Sequence, residues 1–460
     1  MVALLAQSPT DPLEQGFRNP PDSAKPRTWW HWTNGNVTKE GITKDLEWMK
    51  RSGIGGFMLA DVASGGGQTV DKKLLFGSTE WLDAVHHAAD EAQRLGLEMS
   101  IFSSAGWSET GGPWVRPEQA MKKLVWSEVT VEGPRPLVEK LPQPPSNNGP
   151  LRNLAAGGGG RGGAPPDPGY YGDSVVLAYR TPAEESSMAA LQAKATTNAG
   201  PIDAAPLVDD DLNSSVTIPA PPGGGTAWLQ YEFPQPYAAR AITIGARGGI
   251  PFGRVAAGDD GVTFRTLATL PGAQLYRGGT VRTFAFPQTT ARFFRIELTG
   301  AALTPATVMS QAPAQPAAQY VLTEAVLHSG ARVNRWEEKA GFSFLFEYES
   351  VPTPLVPMTS AIRQAGIVDL TGKMAKDGTL NWEVPAGQWT ILRLGYSLTG
   401  AKNRPAPPTG SGYEVDKLSR RHVEEYFHGY FDPLSQSLGA LVGKSLRYMM
   451  MDSWEAGMQN

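Results

Sequence analysis

Apolar residues in the first hundred positions follow a helical period in two segments and form short continuous runs around them. Between Thr38, a predicted N-cap, and Gly53, apolar residues recur at i, i+4 and i+7, which predicts an amphipathic helix. A second helix is predicted from about Thr79 to Gly96 on the same pattern. The continuous runs predict buried strands, at 28–32, 53–62 and 97–102. Strands alternating with helices are typical of a parallel sheet or a (β/α) barrel.

From about Lys122 the pattern changes to β-branched segments separated by turns. Between about Asp203 and Gly330 no helical period is present, and short apolar runs predict strands, at 228–233, 240–246, 280–286 and 290–298. The triplet 259–261, Asp-Asp-Gly, predicts a turn. We therefore expect an all-β sandwich inserted into the α/β chain, serving as a structural spacer or as a sugar-binding module. A Gly- and Pro-rich stretch at 155–168 predicts a mobile loop.

The α/β pattern is predicted to return near Gln388, with the run WTILRLGY. A helix follows from about Lys417, with apolar positions at Leu418, Tyr426, Tyr430, Leu434, Leu438 and Leu441. The last predicted strand covers 446–451. Four or five candidate strands, with no helix after the last, fall short of the eight strand–helix units of a closed barrel. The sequence is therefore expected to be the front part of a longer protein.

These patterns predict an α/β fold, a partial (β/α)8 barrel interrupted by an all-β insert. The expected divisions are the first βα units at 1–125, a β-rich linker at 126–202, the sandwich at 203–330 and the return to the barrel at 331–460.

Composition and charge exclude several classes of function. The net charge of −4 lacks the basic excess that nucleic-acid binding requires, and no apolar run approaches the length of a membrane-spanning helix. The absence of cysteine excludes disulfides, thiolate nucleophiles and cysteine-bound metal centres. The apolar residues Ala3 to Ala6 are too short for a signal-peptide core and follow no basic segment, so an export signal is either truncated or absent.

Two carboxylates follow the last predicted strand, at the end where parallel barrels carry their catalytic groups. Burial and mutual repulsion can drive the pKa values of Asp452 and Glu455 apart, as a general acid and its helper require, whereas the alternative is an exposed acidic turn. Because the carboxyl ends of parallel strands share one face, we expect other side chains to converge there, namely His31, Asn34, Asp61, Trp107 and Glu109.

Tryptophan is concentrated at the start of the chain, with eight of 13 in the first 126 residues. Trp107 and Trp114 lie in a polar, Gly-rich segment, SSAGWSETGGPW, which favours a sugar-binding loop over a core position. No histidine pair has the i, i+4 spacing of a helical zinc site, so metal ligands are not assigned from the sequence.

Several long segments resemble the α-L-rhamnosidases of glycoside hydrolase family 106. They are FRNPPDSAKPRTWWHWTNGNVTKEGI, DLEWMKRSGIGGF, LGLEMSIFSSAGWSETGGPWV, LNWEVPAGQWTILRLGYSLTG, GYEVDKLSRRHVEEYF and MDSWEAGMQN. The resemblance covers roughly residues 17 to 130 and 365 to 460. The inserted segment is similar to the discoidin-like jelly rolls found within such enzymes.

The resemblance implies a (β/α)8 catalytic barrel, inverting hydrolysis of terminal α-L-rhamnosides in glycosides or plant polysaccharides, and a calcium ion at the site. It also implies export to the periplasm or the cell exterior, although a cytoplasmic location stays open. By the same resemblance Glu455 is the general acid, Asp452 its neighbour and Trp454 a substrate contact. The general base is expected beyond Asn460, so the 460-residue chain alone is expected to be inactive. A non-catalytic carbohydrate-binding protein is the alternative, and no oligomeric state is predicted.

Overall fold

The computed structural model describes residues 11–144, 170–222, 225–271, 281–301, 313, 315–342 and 351–454. The chain divides into two compact units. The first unit comprises Met1–Lys122 with Gly400–Met458, and the second comprises Lys123–Thr399. The predicted mobile loop at 155–168, the apolar residues Ala3 to Ala6 and the predicted acid Glu455 lie outside the described residues.

Five α-helices lie within the described residues, and three of them span 13 residues or more. They are α1 (Pro12–Arg18), α2 (Lys39–Arg51), α3 (Thr79–Leu95), α4 (Trp336–Lys339) and α5 (Arg420–Leu438). Over the described ranges, none of them combines the length and the apolar composition needed to cross a bilayer.

Strands account for most of the regular structure. In the first unit they are β1 (Arg27–Thr33), β2 (Gly56–Val62), β3 (Glu98–Phe102) and β16 (Leu446–Met450). In the second unit they are β4 (Lys122–Lys140), β5 (Tyr171–Arg180), β6 (Lys194–Thr197), β7 (Gly200–Ile202), β8 (Val216–Pro219), β9 (Ala227–Ala246), β10 (Phe252–Gly258), β11 (Arg265–Pro271), β12 (Val281–Gly300), β13 (Gln319–His328), β14 (Val368–Asp369) and β15 (Thr379–Leu398).

The first unit is built on a four-stranded parallel sheet in the order β1-β2-β3-β16. The predicted helices are confirmed: the Thr38 hydroxyl caps α2 by accepting a hydrogen bond of 3.1 Å from the Gly41 amide, and Gly96 caps the carboxyl end of α3. The apolar faces of both helices are buried, as their period predicts. The described part of this unit contains an open parallel sheet and no closed barrel.

Helix α5 begins later than its apolar pattern predicts. The Ser419 hydroxyl caps it by accepting from the His422 amide, which leaves Leu418 outside the helix and 75% exposed. The other predicted positions are buried, although Leu441 lies in the turn after the helix. The sequence pattern located the buried face correctly and misplaced its first residue, because the capping serine was not recognised.

The large sheet of the second unit has the strand order β11-β10-β12-β9-β13-β8. Strands β9 and β12 are each 20 residues long, and register shifts in their pairing, between Ala285 and Thr289 and between Ala291 and Phe293, interrupt them midway. Each therefore joins two segments that the sequence predicted as separate strands. Their buried side chains form one hydrophobic cluster. The described residues between Trp228 and Leu298 contain no helix, in agreement with the predicted all-β character.

Strand β15 corrects the predicted return to the barrel. The run WTILRLGY lies in β15, which pairs antiparallel with β5 in a four-stranded sheet of the order β14-β5-β15-β4. Residues 331–399 therefore belong to the second unit, and the first unit resumes at Gly400 and not at residue 331. A short apolar run has the same appearance in a parallel and in an antiparallel sheet, so the pattern could not distinguish them.

We expect the contribution of His328 to the stability of the second unit to fall as the pH drops below neutral. Burial lowers the pKa of His328 from 6.5 to about 3, and its Nε2 lies 2.7 Å from the Thr243 hydroxyl. Between pH 7 and pH 5 the unfolded chain takes up a proton at this histidine that the folded chain does not, which costs about 2 kcal/mol of stability. Chemical unfolding at both pH values should show that the stability of the wild type, relative to that of His328→Gln, is about 2 kcal/mol lower at pH 5 than at pH 7. The comparison with the variant is needed because burial raises the pKa of Glu324 to about 8 and that of Glu337 to about 7, and both proteins share the opposite pH dependence of these carboxyls. Equal pH dependence in the two proteins would contradict it.

Candidate active site

The carboxyl ends of the four parallel strands place their following loops along one edge of the first sheet. In the register of the sheet, His31 lies opposite Ala60, and Met450 opposite Phe102. Short parallel strands of this kind bring the residues that follow them to the same side. At this edge, backbone hydrogen bonds connect the loop after β3 to the segment after β16.

Three aromatic side chains form an open surface at this edge. The rings of Trp29 and His31 meet edge to face at 5.3 Å, and Trp107 lies 5.9 Å from His31 and 6.3 Å from Trp29. Trp107 Nε1 donates a hydrogen bond of 3.3 Å to Nε2 of His31, and partial burial lowers the pKa of the histidine. Both tryptophans are about two-fifths exposed (45% and 40%), so their rings are available to the apolar face of a sugar.

Asp61 is buried on β2, where it lies opposite Trp32 in the register of the sheet. Both carboxylate oxygens accept from Nε1 of Trp81 at 3.1 Å. Burial raises the pKa of Asp61 to about 7, against the opposite effect of the tryptophan donor. The carboxyl group can therefore hold or release a proton near neutral pH, but it is buried against Trp81 and is not part of the open aromatic surface.

Gly106 fixes the path of the loop that carries Trp107. Its φ of 83° lies in the left-handed region, and a Cβ there would lie 2.6 Å from the carbonyl carbon of Arg404. The close approach is accompanied by two backbone hydrogen bonds, from the Gly106 amide to the Asp61 carbonyl (2.7 Å) and from the Trp107 amide to the Arg404 carbonyl (2.9 Å). A side chain at this position would displace the loop and with it the exposed tryptophan.

The segment that contains Asp452 lies beside the same loop. Ser453 pairs with Ser108 as an isolated bridge, and the Glu109 amide donates to the Ser453 carbonyl at 3.0 Å. One carboxylate oxygen each of Asp452 and Glu109 is buried without a hydrogen-bond partner among the described residues. Trp454 is 57% exposed. Two loops predicted to share the carboxyl edge of the sheet are therefore in direct contact.

A buried ion pair near these loops was not among the predicted site residues. Glu414 is fully buried, and one of its oxygens accepts from the Thr110 hydroxyl at 2.6 Å and from Nζ of Lys417 at 2.8 Å. Burial raises the pKa of Glu414, against the lowering effect of Lys417. The lysine also lies 5.9 Å from the ring of Trp454. The one sequence signal for this pair is its place in the segment GYEVDKLSRRHVEEYF.

Two predicted site residues have structural contacts. The Asn34 side chain donates to the Ser64 carbonyl at 2.7 Å and accepts from the Ser64 amide at 3.0 Å, which joins the loops after β1 and β2. Trp114, predicted on a binding loop, stacks on Tyr430 at a ring separation of 5.7 Å. Its Nε1 is buried without a hydrogen-bond partner among the described residues. Both residues therefore have structural contacts within the first unit, and their role in sugar binding stays a prediction.

A calcium site is not apparent in the described part of the chain. No three aspartate, glutamate or histidine side chains there are arranged to hold a metal ion. The unpartnered oxygens of Asp452, Glu109 and Glu414 are of the type that calcium binds, but they do not form a ligand set among the described residues.

Comparison with known proteins identifies the family. The family model described as alpha-L-rhamnosidase, glycoside hydrolase family 106, matches residues 18–460. The chain belongs to glycoside hydrolase family 106. A solved rhamnosidase from Novosphingobium sp. PP1Y is 38% identical to this family 106 chain, with a TM-score of 0.81 over 97% of this chain and 40% of that one.

A second relative carries another name. A protein of Formosa agariphila named "Putative beta-glucuronidase" is 28% identical over 449 residues, which are 97% of this chain and 24% of that protein. The family 106 chain therefore spans less than half the length of either relative. Its resemblance in sequence and in fold is to a glycosidase.

Proposed function

We propose that the protein containing this chain hydrolyses terminal α-L-rhamnosides of glycosides or plant polysaccharides. The observation that carries the proposal is the contact between the Asp452 segment and the Trp107 loop at the carboxyl edge of a parallel sheet, in a chain of family 106. The exposed rings of Trp29 and Trp107 offer a surface on which a sugar ring can stack. Asp452 brings a carboxylate to the border of that surface.

The proposed reaction is inverting. Glu455, three residues after Asp452 in the motif DSWEAG, gives its proton to the departing glycosidic oxygen. A second carboxylate activates water roughly 6.5–9.5 Å away on the opposite face of the sugar. Asp452 and Glu455 are close neighbours in the chain and leave little room for that water, so the proposal assigns the base to a residue outside this chain.

The proposal extends to architecture and location. The open parallel sheet is proposed as part of a (β/α)8 barrel, and the large sheet of the second unit as a discoidin-like jelly roll. The protein acts on a rhamnose-containing carbohydrate in the periplasm or outside the cell, with calcium bound at the site and no nucleic-acid partner. Calcium there would bring fixed positive charge to sugar hydroxyls and carboxylates.

A direct test is the release of p-nitrophenol from p-nitrophenyl α-L-rhamnoside, with excess calcium and with a chelator. We expect turnover by the longer protein with calcium, less with the chelator, and none by residues 1–460 alone. Proton NMR of the first product formed should show the anomer opposite to that of the substrate. Turnover by residues 1–460 would place the base within the chain. If the longer protein binds rhamnosides without turnover, the alternative of a carbohydrate-binding protein is favoured.

A further inference from the structure

The second unit contains a polar cleft whose lining includes no residue that the proposed reaction uses. Its volume is about 500 Å³, within the roughly 300–1,000 Å³ of pockets that hold small molecules. The side chains that give it its chemistry are Glu128, Tyr179, Thr181, Glu185, Arg332 and Thr390. All of them lie in the unit formed by Lys123–Thr399.

Polar groups in the cleft are held in place in pairs. The Tyr179 hydroxyl donates to the Glu128 carboxylate at 3.3 Å, and the hydroxyls of Thr181 and Thr390 lie 2.8 Å apart. Pairs of this kind hold hydroxyl and carboxylate oxygens in fixed directions before a ligand arrives. Such preorganisation reduces the entropy cost of binding.

An ion pair forms another wall of the cleft. The two Nη atoms of Arg332 donate to the two oxygens of Glu185, at 2.8 and 2.9 Å, in the bidentate arrangement. A Cβ on Gly330 would lie 1.9 Å from a Glu185 oxygen, so the absence of a side chain there leaves the space that the carboxylate occupies. The arginine and glutamate side chains are 31% and 25% exposed and are therefore accessible to a solute.

The charges of these groups restrict the ligand. Two carboxylates and one guanidinium leave a net negative charge, and the Nη donors of Arg332 already pair with Glu185. An anion would be repelled, whereas a ligand with many hydroxyl groups can donate to the carboxylates and accept from the hydroxyls. Pro182 and Ala331 add apolar surface for C–H groups. Sugars combine hydroxyl and C–H groups in this way.

We propose that this cleft binds one neutral sugar residue of a carbohydrate, as an accessory site independent of catalysis. The site would hold the protein on a polysaccharide whether or not a rhamnoside is cut. Because none of its residues belongs to the first unit, its failure and that of the proposed reaction are separate results.

The test is a titration of Trp107→Ala protein with L-rhamnose, D-galactose and D-galacturonate, followed by saturation-transfer-difference NMR. The Trp107 change weakens sugar stacking in the first unit, so the remaining signal reports on the second. Adding Tyr179→Phe to the Trp107→Ala protein should weaken the binding of the neutral sugars about fivefold, which is the effect of losing one hydrogen bond. Thr130 lies at an exposed strand position that lines the cleft. Adding Thr130→Trp should abolish the binding of neutral sugars, because the indole ring fills the cleft.

Tyr171→Phe is the matched control, because Tyr171 lies on the same strand and donates to a carboxylate, Asp173, outside the cleft. This variant should bind as strongly as its parent. The proposal is overturned if no neutral sugar binds, if galacturonate binds as tightly as the neutral sugars, or if Thr130→Trp binds as its parent does. Circular dichroism checks that each variant folds, and if Tyr179→Phe does not fold, the Thr130 variant decides the result.

Discussion

Replacing Glu455 by glutamine in the longer protein is expected to lower kcat on natural rhamnosides by roughly 10²–10⁴-fold, the usual contribution of a general acid. The loss should be far smaller on p-nitrophenyl α-L-rhamnoside, because p-nitrophenolate leaves without being protonated. Steady-state kinetics on an alkyl or sugar-linked rhamnoside and on the aryl rhamnoside measures the two values. Their ratio separates proton donation from other contributions of this side chain.

A matched control is Glu132→Gln, which makes the same chemical change at an exposed position of β4. We expect it to leave both kcat values unchanged. Equal losses on the two substrates in Glu455→Gln would argue that Glu455 binds the sugar and is not the acid. A higher KM with an unchanged kcat would lead to the same conclusion.

The first unit was predictable because local signals and tertiary structure agree there. Thr38 caps α2, and Gly96 follows α3. The three apolar positions at helical spacing in α2 are buried, and they are Ile42, Leu46 and Met49. The parallel-sheet rule also brought the residues after β3 and β16 to one edge, where Glu109 and Ser453 are hydrogen-bonded. The spacing of apolar residues in a helix and its capping residues are local features, separated by only a few positions. They can therefore be recognised in the sequence alone.

The second unit was less predictable because pairing with neighbouring strands determines where its strands begin and end. Strand β9 continues through Pro234 and Pro236, where the sequence predicted a break between two strands, because both of its halves pair with β12. On its other side the first half pairs with β6 and the second with β13. Strands β10 and β11 flank the predicted Asp-Asp-Gly turn, but neither was predicted. The spacing of apolar residues within one strand does not show which distant strand it pairs with.

The site residues also differ in whether local sequence or distant contacts determine their environment. The exposure of Trp107 followed from the polar, Gly-rich character of its loop, whereas the stacking of Trp114 on Tyr430 depends on a helix more than 300 residues later in the chain. The Glu414–Lys417 pair gave no local signal, since acidic and basic residues three apart are common on exposed surfaces. Only the packed structure distinguishes a buried pair from an exposed one.

Replacing Glu414 by glutamine is expected to lower the free energy of unfolding of the first unit by about 3–5 kcal/mol. The side chains of Glu414 and Lys417 are 0% and 2% exposed, so the change leaves a buried ammonium without its carboxylate. Urea unfolding at pH 7, followed by circular dichroism, measures the loss. The hydrogen bond from Thr110 can persist to the glutamine oxygen, so the loss comes chiefly from the missing charge.

The matched control is Glu424→Gln, which removes the same charge from an exposed pair with Arg420, also held at 2.8 Å. A solvated pair contributes little, so this variant should unfold close to the wild type. The double variant Glu414→Gln with Lys417→Met should recover much of the lost stability, because it removes the unpaired buried charge as well. If Glu414→Gln costs no more than Glu424→Gln, then Lys417 turns to solvent past Trp454 in the variant, and the buried pair does not stabilise the loops of the candidate site.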